Sequence, residues 1–160
     1  MMTLLTRKLI EEAIDLAIPS IRAIAQSYHW GPQGVYVAVT GRGLKEPIVR
    51  CVDITNAEMR ELKRDFRAIA LQKLAPAARE GRTSNSLVGD FPWLLDFGDS
   101  LYDRGAVSEG PGLAVAVSGL YGEADEAIGW IVWNIIRMLC LLAVKRDRDD
   151  GVNVLGELGE

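Results

Sequence analysis

The sequence has little of the chemistry on which most enzymes rely. Its 160 residues include one histidine, His29, and two cysteines, Cys51 and Cys140. The chain contains neither a G-x-S-x-G nucleophile elbow nor a Walker phosphate-binding loop. Nucleophilic catalysis and phosphoryl transfer therefore have no visible candidate residues. The two cysteines lack metal-site spacing and are too few for a disulfide framework, so we interpret them as buried thiols or as a single bridge.

A surplus of positive charge is also missing. The net charge is −4 and the sequence pI is about 5.1, so no basic field collects phosphates and we expect no nucleic-acid partner. The first residues lack the apolar core of a signal peptide, and we expect a cytoplasmic location. Residues 127–144 are nearly continuous in apolar residues, but Asn134 and Arg137 lie in their middle. We expect a helix buried in the core or at a subunit interface, not a membrane span.

What is present is the composition of an ordinary folded domain. Apolar residues make up 49% of the chain and charged residues 25%, as in an average globular protein. The mean hydropathy of +0.10 is slightly high for a small monomer, which favours a subunit interface. No repeat or low-complexity linker divides the sequence. We predict one domain over residues 1–150, followed by a C-terminal tail over residues 151–160.

The first half of the chain predicts a helix, a hairpin and a second helix. Apolar residues at helical spacing predict a helix from the N-cap Thr6 to about residue 28, kinked or divided at Pro19. Runs rich in β-branched residues at 35–40 and 47–54 predict the two strands of a hairpin. Asn56 is the predicted N-cap of a helical region that reaches about residue 80 and that Pro76 interrupts near its end.

The second half predicts a second hairpin and a long final helix. Residues 91–97 are aromatic and predict either a helical turn or an irregular lid. Strands are expected at 106–109 and 113–119, and a helix with an acidic first turn begins near Glu123. The fold class is therefore α+β, in the order α-β-β-α-α-β-β-α, with two hairpins in one antiparallel sheet.

Two segments carry a family resemblance. Residues 113–119 (LAVAVSG) and 122–128 (GEADEAI) are similar to the closing strand and helix of GlcG/HbpS-like proteins, the haem-binding, haem-degrading or PduO C-terminal-like domains. Residues 70–83 (ALQKLAPAAREGRT) resemble the lysine-containing helix of that family, and the resemblance covers about residues 4–145. It implies a profilin-like fold, assembly as a dimer or larger ring and, in some members, bound haem.

The turn between the last strand and the last helix is the leading candidate for a ligand site. Ser118, Gly119, Tyr121 and Gly122 surround a helix N-terminus, whose unpaired backbone N–H groups suit a carboxylate or a propionate. The alternative is that the acidic first turn already satisfies those groups. Lys73, which matches the lysine of the family's helix, either meets an anionic ligand or is a solvated or snorkelling side chain.

The remaining candidates are aromatic or histidine residues. His29 is either a haem ligand or a favourable charge at a helix C-terminus. Phe91, Trp93, Phe97 and Tyr102 form either a wall over a flat ligand or the ordinary cover of a sheet face or oligomer contact. Trp130 and Trp133 are neighbours on the last helix and are expected to anchor a homo-oligomer interface. The sequence offers no metal-ligand set.

The sequence therefore predicts a non-enzymatic small-molecule-binding protein. Its expected ligand is small and anionic or planar, with haem or another tetrapyrrole as the single best guess. One alternative is an oligomeric interaction or accessory protein with a vestigial pocket. Another is an enzyme of a small-organic-acid pathway, of unknown reaction, that uses Lys73 and the turn at 119–122.

Overall fold

The structure is a computed structural model, which describes residues 3–28, 34–52 and 64–151. Its helices and strands are α1 (Arg7–Ser27), β1 (Val35–Gly41), β2 (Ile48–Val52), α2 (Phe66–Glu80), β3 (Ala106–Ser108), β4 (Leu113–Ser118) and α3 (Gly122–Asp149). A π-helical turn (Ser86–Asp90) and a 3-10 turn (Pro92–Leu94) lie between α2 and β3. The predicted α+β fold with two hairpins is confirmed.

The four strands form one sheet in the order β2-β1-β4-β3, and each neighbouring pair is antiparallel. The hairpin β1–β2 and the hairpin β3–β4 join through β1 and β4 at the centre. In the middle of the sheet Val115 lies between Val39 and Val107, and the next residue, Ala116, lies between Ala38 and Ala106.

The two faces of the sheet carry different side chains, because successive residues of a strand point to opposite sides. One face presents the buried valines 35, 37, 39, 107, 115 and 117 to α1 and α3. The other face presents Tyr36 and the buried alanines 38, 106, 114 and 116 to α2. We call them the valine face and the alanine face. The apolar stripe predicted for α1, which includes Ile10, Ile14 and Ile21, packs on the valine face.

The helix ends confirm some predictions and correct others. Thr6 caps α1, since its Oγ1 accepts from the Leu9 N–H at 3.2 Å. α1 runs undivided through Pro19 to Ser27. The interruption predicted at Pro76 is wrong: α2 continues through it to Glu80, and Pro76 lies on the buried side of the helix.

Within the described residues, α2 begins after Asp65. Asp65 is its N-cap, with the carboxylate accepting from the Ala68 N–H at 3.0 Å. The predicted cap Asn56 lies outside the described residues. Asp65 suits this role, because a carboxylate at an N-cap accepts a hydrogen bond from an otherwise unpaired N–H and complements the helix dipole.

The two cysteines are free and lie in different environments. Cys51 is exposed on β2, opposite Tyr36 and therefore on the alanine face, so the expectation that both thiols are buried is wrong. Cys140 is half-buried on α3, on the other side of the sheet, and burial raises its pKa. The sheet separates the two thiols, which excludes a bridge between them.

α3 is buried along one side only. Asp125, Ile128, Gly129, Val132 and Ile136 form its buried stripe. On other sides the helix leaves Met138, Leu141 and Leu142 44%, 51% and 53% exposed. Of its most apolar stretch 22% is buried, and by length and composition it is the one helix in the described ranges that is able to cross a membrane. The prediction of a buried helix is therefore right for the side of α3 that faces the core and not for its other sides.

Candidate functional site

A cavity of about 390 Å³ opens where α2, the end of β4 and the start of α3 meet. Its charged lining residues are Arg64, Lys73, Asp103, Arg104 and Asp125. Ser118, Leu120, Tyr121, Gly122 and Tyr102 complete the same side, and Phe66 and Ile69 add apolar surface. We call this cavity the Lys73 pocket. Its volume falls within the range of about 300–1,000 Å³ that is usual for small-molecule sites.

Lys73 is buried beside the pocket, with only 4% of its surface exposed. α2 places it there, because Phe66, Ala70, Lys73, Leu74 and Ala77 recur at helical spacing on the buried side of the helix. Its Nζ donates to the Val117 carbonyl at 3.1 Å and lies 5.3 Å from the centre of the Tyr102 ring. The interpretation of Lys73 as a solvated side chain is therefore wrong.

Asp125 is the carboxylate that faces Lys73. Its Oδ2 lies 3.6 Å from Lys73 Nζ, and its Oδ1 accepts from the Leu120 N–H at 3.0 Å. The residue is 2% exposed and belongs to the buried stripe of α3. At Leu120 the acidic first turn thus satisfies a backbone N–H of the preceding turn, as one of the two sequence interpretations expected.

Burial changes the proton affinity of both partners. Desolvation raises the pKa of Asp125 to about 7, against the opposing effects of Lys73 and of the Leu120 and Gly119 N–H groups. Desolvation also lowers the pKa of Lys73, against the opposing attraction of Asp125 and Asp103. The pair therefore holds a carboxyl group that titrates near neutral pH beside an amine that loses its proton more easily than an exposed lysine does.

Two glycines make this packing possible. A Cβ at Gly105 would lie 2.6 Å from the Val117 carbonyl oxygen and 2.7 Å from Lys73 Nζ, and its φ of +109° disfavours other residues. Gly119, with φ of +141°, leaves no room for a Cβ against the Gly34 backbone. Gly119 therefore holds the end of β4 near the start of β1 and does not itself line the pocket.

The structure brings together part of the predicted site. Lys73, Ser118, Tyr121 and Gly122 all line the pocket. His29 lies outside the described residues. Tyr102, which the sequence grouped with Phe91 and Trp93, also lines the pocket. The lining residues Asp125, Asp103, Arg104 and Arg64 were not predicted as site residues.

Phe91 and Trp93 lie away from the pocket. Their rings pack edge to face at 5.5 Å, the Arg82 guanidinium stacks 4.0 Å from the Phe91 ring, and Trp93 is 73% exposed. Arg79 fixes the neighbouring loop by donating to Asp99 at 2.6 Å and to the Leu94 carbonyl at 3.2 Å. The structure therefore does not place these two aromatic residues over the cavity.

Haem does not fit the lining of the Lys73 pocket well. The cavity is near the lower end of ligand-site volumes, and Phe91 and Trp93 do not wall it. Tyr102 and Tyr121 line the cavity and are of a residue type that binds haem iron in some proteins. However, the Tyr102 ring faces the Lys73 ammonium. Within the described ranges, no three His, Cys, Asp or Glu side chains cluster as a metal site would need. The pocket suits a smaller organic molecule.

Comparison with known proteins supplies no template for this pocket, so its chemistry has to be argued from its own residues. The resemblance to GlcG/HbpS-like proteins stays a prediction. No protein-family model, no curated protein and no solved structure matches the chain.

Proposed function

We propose that this protein binds a small carboxylate-bearing metabolite in the Lys73 pocket. The observation that carries the proposal is the buried Lys73–Asp125 pair, which lies in the wall of an open cavity. A buried ion pair is a weak source of stability, because desolvation offsets most of the attraction between the charges. Perturbed ionisable groups beside a cavity are typical of ligand sites.

The charges of the lining favour an anion. Arg64, Lys73 and Arg104 supply three basic groups, against the two acidic groups Asp103 and Asp125. Protonation of Asp125, whose pKa burial raises to about 7, leaves Asp103 as the charged carboxylate of the lining. Arginine guanidinium groups bind carboxylates with two parallel hydrogen bonds, which favours a carboxylate over a halide-like ion.

The size and apolar surface of the pocket favour a short carbon skeleton. Phe66, Ile69 and Leu120 provide apolar lining beside the charged groups. A small organic acid would place its carboxylate toward the basic side chains and its carbon chain against this surface. Haem is a larger candidate ligand, because its propionates are also carboxylates, and the titrations described next include it.

Calorimetric titration with short carboxylic acids tests the proposal, with the matched primary amides as uncharged controls. We expect at least one acid to bind and raise the melting temperature, its amide not to bind, and Lys73→Gln to weaken binding about tenfold or more. Lys8→Gln removes an exposed lysine on α1 and is the matched control. Acids that bind both variants equally, or none that binds, would contradict the proposal. A haemin Soret shift that the acids do not displace would favour the tetrapyrrole.

A second candidate function is self-association through α3. The side of the helix opposite its buried stripe carries Glu123, Ala127, Trp130, Asn134, Met138, Leu141 and Lys145, which we call the α3 seam. The intervals between these residues are the same in both directions from Asn134. A second copy of the helix, running antiparallel, would therefore meet the seam in register.

The side chains of the α3 seam are complementary under that pairing. Glu123 would meet Lys145 of the second copy, Ala127 would meet Leu141, and Trp130 would meet Met138. The acidic first turn and basic last turn of α3 favour the same antiparallel arrangement. Asn134, at the centre, donates its side-chain amide to the Trp130 carbonyl at 2.8 Å. Trp130 and Trp133 are both half-buried against the core and pack edge to face at 5.6 Å, and of the two only Trp130 belongs to the α3 seam.

Light scattering tests this pairing. The pairing predicts a dimer, loss of the dimer in Lys145→Glu, and its recovery in Lys145→Glu with Glu123→Lys. Leu141→Glu should also dissociate it, whereas Leu16→Glu, at a leucine of α1 that is 53% exposed, should not. A wild-type mass of 17.5 kDa contradicts the pairing, and a monomer that sediments with lipid vesicles assigns the seam to a membrane.

A further inference from the structure

We propose that Lys73 forms an imine with the carbonyl carbon of a small oxo acid in the Lys73 pocket. This inference rests on the proposed function and deepens it, because it names the ligand as an acid that also carries an aldehyde or ketone group. It assigns Lys73 a covalent role in addition to charge recognition.

The surroundings of the Lys73 amine suit a nucleophile. The side chain is 4% exposed, yet it lines the cavity, so a small ligand is able to reach it while most water is excluded. Its Nζ donates to the Val117 carbonyl at 3.1 Å and lies 3.6 Å from Asp125 Oδ2. Gly105 lets the amine pack closely against the backbone, since any Cβ there would lie 2.7 Å from Nζ. Desolvated lysines are the usual imine-forming residues of proteins.

Asp125 lies where an acid–base partner is needed. Its Oδ2 is 3.6 Å from Nζ, while its Oδ1 is anchored by the Leu120 N–H at 3.0 Å. One oxygen is therefore fixed to the backbone and the other faces the amine. Proton transfer between the carboxyl group and the reacting atoms needs only a small movement or one bridging water molecule.

The reaction is balanced without any oxidant or reductant. Asp125 takes a proton from the Lys73 ammonium, and the neutral amine attacks the carbonyl carbon to form a C–N bond. A proton passes from the attacking nitrogen to the former carbonyl oxygen and gives a neutral carbinolamine. Its C–O bond then breaks with a proton from Asp125, water leaves, and a C=N bond remains between Nζ and the former carbonyl carbon. Hydrolysis reverses the same steps.

The groups that face the amine set its pH dependence. Asp125 comes from α3, Asp103 and Tyr102 from the segment before β3, and the Val117 carbonyl from β4. Burial lowers the pKa of Lys73, although both carboxylates oppose that change. We therefore expect the neutral, reactive amine of Lys73 to appear at a lower pH than that of an ordinary exposed lysine.

Reductive trapping tests the inference on the full-length wild-type protein. The protein is incubated with pyruvate and sodium cyanoborohydride, digested and mapped by mass spectrometry. We expect an N-(1-carboxyethyl) group on Lys73 in large excess over the exposed Lys8 and Lys145, formed fastest at a pH below that needed to modify those two. Because the wild type reports its own site of modification, the result does not depend on the folding of a variant.

Lactate carries a hydroxyl group where pyruvate carries its keto group, so it can bind as a carboxylate but cannot form an imine. Its binding therefore tests the proposed function separately from this inference. If pyruvate and lactate both bind and pyruvate is trapped on Lys73, both proposals are supported. Calorimetric binding of both acids without modification of Lys73, or with equal modification of Lys8, overturns the imine and leaves carboxylate binding intact. In Asp125→Asn we expect trapping to slow at least tenfold while lactate affinity changes less, and an unchanged trapping rate would remove Asp125 from the reaction.

Discussion

The two faces of the sheet are built from the same strands but in different ways. Along β4 the side chains alternate between valines, which pack against α1 and α3, and alanines or Ser118, which lie toward α2. The valine face is filled by large branched side chains, as is usual in a close-packed core. The alanine face has little side-chain volume of its own, so α2 supplies most of the atoms that cover it.

This difference explains where the candidate site lies. Lys73 belongs to the helix that covers the alanine face, and Asp125 belongs to a helix that covers the valine face. They meet beyond the end of β4, where the sheet no longer separates the two layers. The pair thus joins two sides of the molecule that differ in packing, and the sheet fixes the distance between them.

The largest expected effect comes from breaking that connection. Asp125→Ala should lower the free energy of unfolding by about 3–5 kcal/mol, because it leaves the Lys73 ammonium buried without its counter-charge. Urea unfolding followed by tryptophan fluorescence measures the loss. Glu126→Ala is the matched control, since the neighbouring carboxylate pairs with the more exposed Arg104.

The double variant Lys73→Met with Asp125→Leu shows whether Asp125→Ala loses stability through a missing contact or through an uncompensated buried charge. We expect it to be more stable than Asp125→Ala, because both buried charges are replaced by apolar side chains of similar size. A double variant that is less stable than Asp125→Ala would mean that the pair stabilises the fold in its own right.

Adjacent substitutions on β4 compare the two faces directly. Val115→Ala should cost about 2–3 kcal/mol, because it removes buried methyl groups and leaves a cavity between Val39 and Val107. Ala116→Leu should cost about 1–3 kcal/mol for the opposite reason, since the added atoms collide with α2. Urea midpoints measure both. A neutral Ala116→Leu would show that the alanine face has spare room.

The strands of the sheet and the apolar stripe of α1 could be predicted from the sequence, whereas the difference between the two faces was not predicted. Regular alternation along the strands and the apolar stripe of α1 determine the sheet and the packing against it. The buried positions of Lys73 and Asp125 were also readable, because each recurs at helical spacing with apolar neighbours, Ala70 and Leu74 in one case and Ile128 and Val132 in the other. Their charge hides this signal, because lysine and aspartate side chains are almost always exposed unless they are paired.

Other parts of the site left no periodic signal in the sequence. Tyr102 and Arg104 lie in an irregular segment, so their place in the pocket depends on the path of the loop and not on any repeat. That path depends on contacts distant in sequence, such as the pairing of Arg79 with Asp99. The aromatic residues Phe91 and Trp93 were assigned to the pocket by type, whereas this same pairing holds their loop elsewhere.

A pH effect, smaller per pH unit than the cost of these substitutions, again distinguishes the Lys73–Asp125 pair from the two faces of the sheet. The folded pKa of Asp125 is raised to about 7, above its ordinary value of 3.8, so the folded state retains a proton that the unfolded chain has released. Stability from this group is therefore present at low pH and lost as pH rises from about 4 to about 7, by about 1 kcal/mol per unit. Unfolding of the wild type and Asp125→Asn across this range measures the difference, and parallel pH profiles would contradict it.

The smallest effects on stability are expected at exposed ion pairs. Even there, we expect a smaller loss on α1, which covers the valine face, than on α2, which covers the alanine face. Arg7 on α1 makes one contact, to Glu11 at 3.4 Å, and Arg7→Ala should change stability by less than about 0.5 kcal/mol. Arg79 on α2 bonds Glu80, Asp99 and the Leu94 carbonyl, so Arg79→Ala should cost about 1 kcal/mol and loosen the loop that carries Trp93. Urea unfolding measures both, and proteolysis near Trp93 reports the loop. Equal and negligible losses, with no change in cleavage, would show that the network around Arg79 does not order the segment between α2 and β3.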